Sequence, residues 1–234
     1  MTASVHYVTE VSLPVAAAPL SWEAENSAII AGDWAKARAE KPNLFNGRVH
    51  VAVNPQINDK TFTATCHPMQ SSGLMYWRRH SPPNTGFRNM FGNVVLRGSD
   101  GGLIVGRIAD HHATGGLTGF PGGSFDPDDI KDDHLDATGC ILREGEEETG
   151  IPRQQLSLAP GYLVYQDPGR VAICRVADLP VRAGEIRTRI AEWLRRQDSP
   201  ELAEVLVVRT SDDLHRLNVV PPTRLVAEWI FKHA

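Results

Sequence analysis

Cysteine is scarce: Cys66, Cys140 and Cys174 are the three in 234 residues, widely spaced and without a CxxC pair. That excludes a disulfide framework and fits a reducing compartment, so a cytoplasmic setting is expected. Cys66-His67 supplies two metal-ligand types, but no partner stands at ligand spacing. Long apolar runs are missing too. The longest, Val11 to Leu20, is broken by Pro14 and Pro19 and has no Lys or Arg before it. A membrane span needs about 20 apolar residues, so neither a span nor a signal peptide is expected. There is no basic excess, with Lys+Arg 24 against Asp+Glu 28 and a formal net charge of −4. Nucleic acid is therefore a poor partner. No internal repeat or low-complexity tract occurs. What remains is an ordinary globular composition, 41% hydrophobic and 22% charged. The length suits one large domain, or one domain with a substantial extension.

Periodicity supplies the elements. Residues 5–13 read as a strand, and 22–40 as a helix with Ile30, Trp34 and Ala37 on one face, stopped by Pro42-Asn43. Residues 48–53 and 60–66 alternate as paired strands around Asn58-Asp59. Ser81-Pro-Pro-Asn-Thr-Gly86 is the candidate boundary between an N-terminal α/β extension (1–85) and a second unit (86–234). Strands at 93–97 and 102–107 flank Gly98-Ser-Asp-Gly-Gly102. A Gly- and Asp-rich loop follows, then a helix around 134–149. Strands at 161–165 and 170–176, a helix at 183–197, a strand at 204–209 and a helix at 222–233 complete the chain. Strands arriving mostly as hairpins among helices favour a mixed α/β (α+β) sheet with helices packed on it.

The most informative stretch is Arg143-Glu-Gly-Glu-Glu-Glu-Thr-Gly150. On a helix, positions i, i+3 and i+4 share a face, so Glu144, Glu147 and Glu148 project together while Glu146 points away. Like charges at this spacing cost a few tenths of a kcal/mol per pair, and Arg143 can neutralise only one. An exposed acidic face is one reading. The other is a hard divalent cation, because clustered carboxylate oxygens suit Mg2+ or Mn2+. Cys140, one turn earlier, brings zinc into consideration, but it stands alone as a soft ligand.

Upstream lies Gly119-Phe-Pro-Gly-Gly123. The combination GFPGG…REGEEETGI resembles the Nudix hydrolase signature, Gly-x5-Glu-x7-Arg-Glu-U-x-Glu-Glu-x-Gly-U with U aliphatic. Its second half matches at Arg143, Glu144, Glu147, Glu148, Gly150 and Ile151. Two departures stand out. The first U position is Gly145, which costs about 1 kcal/mol of helix stability relative to Ala and removes an apolar contact. The front half is also stretched: Gly123 to Arg143 is 20 positions where the pattern allows 14, so six residues are extra. Counted back from Arg143, the first glutamate of the pattern falls on Leu135, with Asp136 one step off as a substitute. The acidic segment Phe125 to Asp133 reads as a solvated inserted loop, with metal or substrate contact as the alternative.

The resemblance implies an α/β/α sandwich with a mixed sheet, and Mg2+-dependent hydrolysis of a pyrophosphate bond in a nucleoside diphosphate linked to another moiety. Mn2+ could replace Mg2+. Glu144, Glu147 and Glu148 would be metal ligands, with a Gly123 (or Gly122) carbonyl completing the shell. Arg143 would orient the glutamates, and Gly150 would end the helix at positive φ. A further acidic residue from a late loop often completes such sites; Glu201 and Glu204 are the candidates, with Glu204 taken into the site. The N-terminal segment around Pro42 to Arg48 is loosely similar to the region preceding the catalytic part of nucleotide-sugar-cleaving members, which suggests a substrate such as UDP-glucose. Arg48, Arg88 and Arg97 are the substrate-binding candidates, Arg78 and Arg79 could also meet phosphate, and Tyr76-Trp77 could stack a base. A homodimer is the assembly considered. Pyrophosphatases of ADP-ribose, coenzyme A or dinucleoside polyphosphates, a non-catalytic nucleotide-binding module, and a metal-free acidic scaffold are the alternatives.

Overall fold

The computed structural model describes residues 2–42, 44–82, 85–111 and 115–233. Asn43 of the predicted helix stop, and Pro83 and Asn84 of the 81–86 boundary, lie outside them. The chain begins with β1 (Ser4–Val8), β2 (Glu10–Ser12), α1 (Ser21–Glu25), α2 (Ser27–Glu40), β3 (Arg48–Asn58), β4 (Thr61–Gln70) and α3 (Ser71–His80). Next come β5 (Phe87–Arg97), β6 (Leu103–Ile108), β7 (Thr118–Gly119), β8 (Gly122–Ser124), β9 (Ile130–Lys131), β10 (His134–Leu135) and α4 (Ala137–Thr149). It closes with β11 (Ser157–Leu158), β12 (Tyr162–Gln166), β13 (Arg170–Asp178), α5 (Ala183–Leu194), β14 (Leu202–Val208), α6 (Ser211–His215) and α7 (Pro221–His233).

Among the described residues, twelve strands form one mixed sheet along β1-β12-β13-β5-β3-β4-β2, with β8 and β6 also on β5 and β14 on β6. Strand β13 runs parallel to β5, while β3 meets β5 antiparallel at Val51↔Asn89. The N-terminal segment is thus woven into the sheet at two places, through β3 on β5 and β1 on β12.

Alternation along β5 sends Met90, Val94 and Leu96 to one face and Val95 to the other. The first face packs on Cys140 and Ile141 of α4 and Ile186 and Ile190 of α5, together with Val8, Leu13 and Phe62 from the N-terminal segment. The second packs on Val226, Ala227 and Ile230 of α7. Helices therefore cover both faces, giving the expected α/β/α sandwich. Ile141, fully buried, contributes roughly 1.5–3 kcal/mol through its burial.

Local differences have local or tertiary causes. The helix predicted over 22–40 breaks at Asn26, whose side-chain amide donates to the Trp22 carbonyl (2.7 Å) and leaves the α-helical course. Helix α3 is absent from the sequence reading. Its start is held from a distance: Asn46 Oδ1 accepts from the Ser72 N–H (2.8 Å) and Glu23 Oε1 from the Gln70 N–H (2.8 Å). The β3–β4 turn centres on Asp59-Lys60, one residue later than read, with both residues at positive φ.

Candidate metal centre

Helix α4 forms because Ala137, Cys140, Ile141, Gly145 and Thr149 recur on one buried stripe. Asp136 starts it, its side chain accepting from the Gly139 N–H (2.8 Å), and Gly150 ends it at φ 66° as expected. Asp136 also pairs with Lys131. It is a helix cap, so it does not substitute for the missing glutamate.

Gly145 answers for its own departure from the pattern. A Cβ there would lie 2.7 Å from Val94 Cγ1, so a side chain would force α4 off β5. The absent apolar group is replaced by closer approach of helix and strand.

Counting forward from Gly123 also relocates the insertion. Five residues separate Gly123 from Asp129, which therefore occupies the position of the first glutamate in the pattern. The six extra residues are 130–135, and these are the β9–β10 hairpin, closed by Asp132 and Asp133 at φ 48° and 59°. The hairpin is no loose loop: Val15 N–H donates to the Asp133 carbonyl and Leu135 N–H to the Leu13 carbonyl. Asp129 itself is buried, and both its oxygens accept from Arg143 Nη2, at 3.1 and 3.0 Å. A count backward from Arg143 lands on Leu135 and not on Asp129, because the six inserted residues lie between Asp129 and Arg143.

Arg143 is the clamp of the site. Besides Asp129, it donates from Nη1 to Glu144 Oε1 (2.7 Å) and reaches Glu147 Oε2 at 3.5 Å. Glu148 Oε2 accepts from the Gly122 N–H (3.2 Å). Gly123 lies so close beneath Glu144 that a Cβ there would fall 2.3 Å from Oε2. The glycine turn and the glutamate stripe thus meet, as the resemblance implies. Glu146 points elsewhere and pairs with Arg153 (2.9 Å).

Glu144, Glu147 and Glu148 line one cavity of about 120 Å³ together with Trp193, Leu194, Gln197, Ser199, Pro200 and Glu201. Glu201, not Glu204, joins them. Glu204 is the third residue of β14 and ion-paired to Arg107 (2.7 Å). Burial pushes the Glu144 carboxyl up to about 7 against the opposing pull of Arg143, with Glu147 and Glu201 adding to the rise. Burial, then the Glu201 carboxylate, hold Glu148 well above the usual carboxylate range, against the Gly122 N–H.

Among the described residues, no three His, Cys, Asp or Glu side chains stand ready-arranged around a metal position. Glu144 is turned onto Arg143 and Glu148 onto the Gly122 N–H. The donor chemistry nevertheless fits Mg2+ or Mn2+: four carboxylates line one cavity, and burial, followed by the neighbouring like charges, raises the Glu144 and Glu148 carboxyls, a cost that a cation relieves. Zinc does not fit. Burial raises the Cys140 thiol strongly, Asp129 raises it further, and the thiolate that zinc needs is disfavoured. Cys66, its thiol pushed up to about 12 by burial, is similarly inert.

The arginines expected to bind substrate scatter. Arg97 pairs with Asp178 (2.6 Å) at one end of β5, and Arg88 donates to Gln166 (3.1 Å) at the other. They stand nine residue steps apart along the strand, about 30 Å, too far for one pyrophosphate. Arg79 is paired with Asp33 (2.9 Å), and Trp77 packs on Phe87 (centroids 5.4 Å apart). Arg48 is exposed at the start of β3, whose next inward residue, His50, feels the charges of Asp126 and Asp129.

No family model matches the chain, and no curated protein matches it. Similar solved structures include a Nudix hydrolase from M. smegmatis, RenU, at 18% identity and TM-score 0.43, over 62% of this chain and 85% of that one. The MutT protein from Methanosarcina mazei Go1 aligns at 18% identity and TM-score 0.41, over 62% and 94% respectively. DR0079 from Deinococcus radiodurans aligns at 13% identity and TM-score 0.45, over 79% and 98%.

Proposed function

We propose that this chain is a Nudix-type pyrophosphohydrolase that splits a nucleoside diphosphate linked to another moiety, with a nucleotide sugar such as UDP-glucose as the substrate. The products are then a nucleoside monophosphate and a sugar phosphate. The observation that carries this reading is the convergence of Glu144, Glu147, Glu148 and Glu201 on one cavity, beside the Gly122–Gly123 turn. Glu144, Glu147 and Glu148 hold Mg2+ or Mn2+ in this reading, with Glu201 replacing Glu204 as the further acidic residue and Gly123 contributing its carbonyl. A cation bound there supplies charge neutralisation and acidifies a coordinated water.

The protein's own groups do the rest. Arg143, anchored by Asp129, fixes the position of Glu144 at the cavity edge through a charge-assisted hydrogen bond. Glu201 lines the same cavity as the three ligands and its charge acts on Glu148. Standing outside the ligand set, Glu201 is the group proposed to take up the proton of an attacking water. Trp193, Leu194 and Pro200 wall one side of the cavity and limit bulk water. Arg48 remains the arginine proposed to meet the substrate, beside the segment that holds Asp129. Among the described residues, no helix is long and apolar enough to cross a membrane; a cytoplasmic setting and a homodimer complete the proposal.

The test is release of nucleoside monophosphate from a panel of nucleotide sugars, ADP-ribose, coenzyme A, dinucleoside polyphosphates and nucleoside triphosphates with Mg2+. The expected result is cleavage of the nucleotide sugars, abolished by EDTA and lowered by several powers of ten in Glu148→Gln. Glu146→Gln, off the cavity, should be close to silent. Absence of cleavage across the panel, or equal losses in both variants, would overturn the proposal.

A further inference from the structure

The last turn of α3 lies against the turn between β12 and β13. Trp77 packs on Phe87, and a Cβ on Gly169 would fall 3.2 Å from the Trp77 ring. Arg78, the next residue, is exposed and, among the described residues, has no hydrogen bond or ion pair. Burial nevertheless lowers its pKa, and the Arg170 guanidinium lowers it further. Arg78 therefore reaches solvent from within crowded protein, beside a like charge. Asp167, the acid of the turn, is already engaged. Its Oδ1 accepts from the Gly169 N–H (2.8 Å), and its Oδ2 from the Tyr165 hydroxyl (2.6 Å) and Arg170 Nε (2.8 Å). Arg88 also feels the Asp167 charge, so three guanidinium groups stand around a turn that supplies one carboxylate.

Asn89 adds a second observation. It pairs in register with Arg170 across β5 and β13, so both side chains leave the same face of the sheet, about 4.8 Å apart at the backbone. Phe87, two residues earlier on that face, packs with Leu74 and Trp77 of α3. Asn89 is 2% exposed, and its Oδ1 accepts no hydrogen bond. An orphaned buried acceptor is costly, and a ligand that brings a donor removes the cost.

We propose that Arg78, Arg170 and Asn89 form a binding site for inorganic phosphate, the arginines taking its charged oxygens and Asn89 Oδ1 accepting from its P–O–H group. Guanidinium groups suit such oxygens through charge-assisted hydrogen bonds. The hydroxyl sets the selectivity. The phosphate dianion keeps one P–O–H at pH 8, whereas sulfate has none and a phosphomonoester, with a pKa of about 6, has lost its own. None of the three residues lines the glutamate cavity, so the site does not rest on the hydrolase reading.

The experiment is a phosphorus NMR titration of the whole chain with inorganic phosphate at pH 8, after divalent metal is removed on a chelating resin. Saturable binding is expected, with sulfate and methyl phosphate competing about tenfold less well or worse. Arg78→Gln should weaken phosphate by about tenfold or more. Arg79→Gln, whose guanidinium is already held by Asp33, should leave it unchanged. Asn89→Leu, its fold checked by circular dichroism, should lose the preference for phosphate over sulfate; the wild-type comparison of the two anions tests the same point without a variant. Absence of saturable binding, or equal affinity for phosphate and sulfate, would overturn the proposal. Equal losses in Arg78→Gln and Arg79→Gln would reduce the effect to diffuse charge and overturn it as well. Binding that appears only when Mg2+ is added would place the anion at the glutamate cavity, with the same consequence.

Discussion

Breaking the Asp129–Arg143 clamp should cost measurable stability and loosen the metal centre together. Asp129→Asn keeps the shape and one acceptor for the Asp126 N–H, which Asp129 Oδ2 now accepts at 3.0 Å. It removes the charge that faces Arg143 Nη2 at 3.0 Å, with the aspartate side chain 4% exposed and the arginine 26%. Leaving a buried charge without its partner costs about 3–5 kcal/mol. Arg143 retains Glu144 at 2.7 Å and Asp126 at 3.3 Å, so the lower value for a charged hydrogen bond, about 2 kcal/mol, is the better expectation. For a chain of this length that is a Tm decrease of about 4–8 °C. The released guanidinium should then compete with a cation for Glu144 and Glu147, so Mn2+ affinity should fall as well. Urea denaturation of Asp129→Asn, Arg143→Gln and the double variant gives the coupling, expected at about 1–2 kcal/mol. Additivity within about 0.5 kcal/mol, or unchanged Mn2+ affinity, would refute the clamp.

Other outcomes follow from the same geometry. Millimolar Mn2+ should raise Tm by linkage to the folded state, and Glu147→Gln should blunt the rise; a thermal melt indifferent to Mn2+ would count against the metal centre. In EDTA, Glu144 holds a proton in the fold up to about 7 that the unfolded chain releases near 4.5. The folded state binds more protons between those values, so this contribution to stability is complete below 4.5 and is lost as pH rises through about 7. Melting in EDTA should therefore fall from pH 5.5 to pH 8, and Mn2+ should reverse the trend. Gly145→Ala improves helix propensity by about 1 kcal/mol, yet overpacking against Val94 should cost about 1–3 kcal/mol; a net gain in urea midpoint would contradict the close approach. Removing residues 1–85 should give an insoluble or inactive chain, because Val8, Leu13 and Phe62 share one core with Ile141; a soluble truncation with unchanged substrate preference would show the segment to be dispensable.

What was legible in the sequence was local. Helical spacing alone places Glu144, Glu147 and Glu148 on a common stripe, and they do line one cavity. The glycine after them ends the helix at positive φ, since backbone sterics act over a few residues. The β3–β4 and β12–β13 hairpins and the amphipathic helices α5 and α7 were visible for the same reason. Contacts between distant segments were not. Glu201 and Glu204 differ by three positions, and only the start of β14 at Leu202 decides that Glu204 meets Arg107 on the strand while Glu201 enters the cavity. Asp129 and Arg143 come together across a six-residue hairpin that a fixed count along the chain cannot skip. Helix α3 depends on acceptors from Glu23 and Asn46, and Gly145 reads as a defect until Val94 is packed beneath it. Periodicity reports which side of an element is apolar. Which partner fills that side, and at what distance, is set by close packing of segments far apart in the chain.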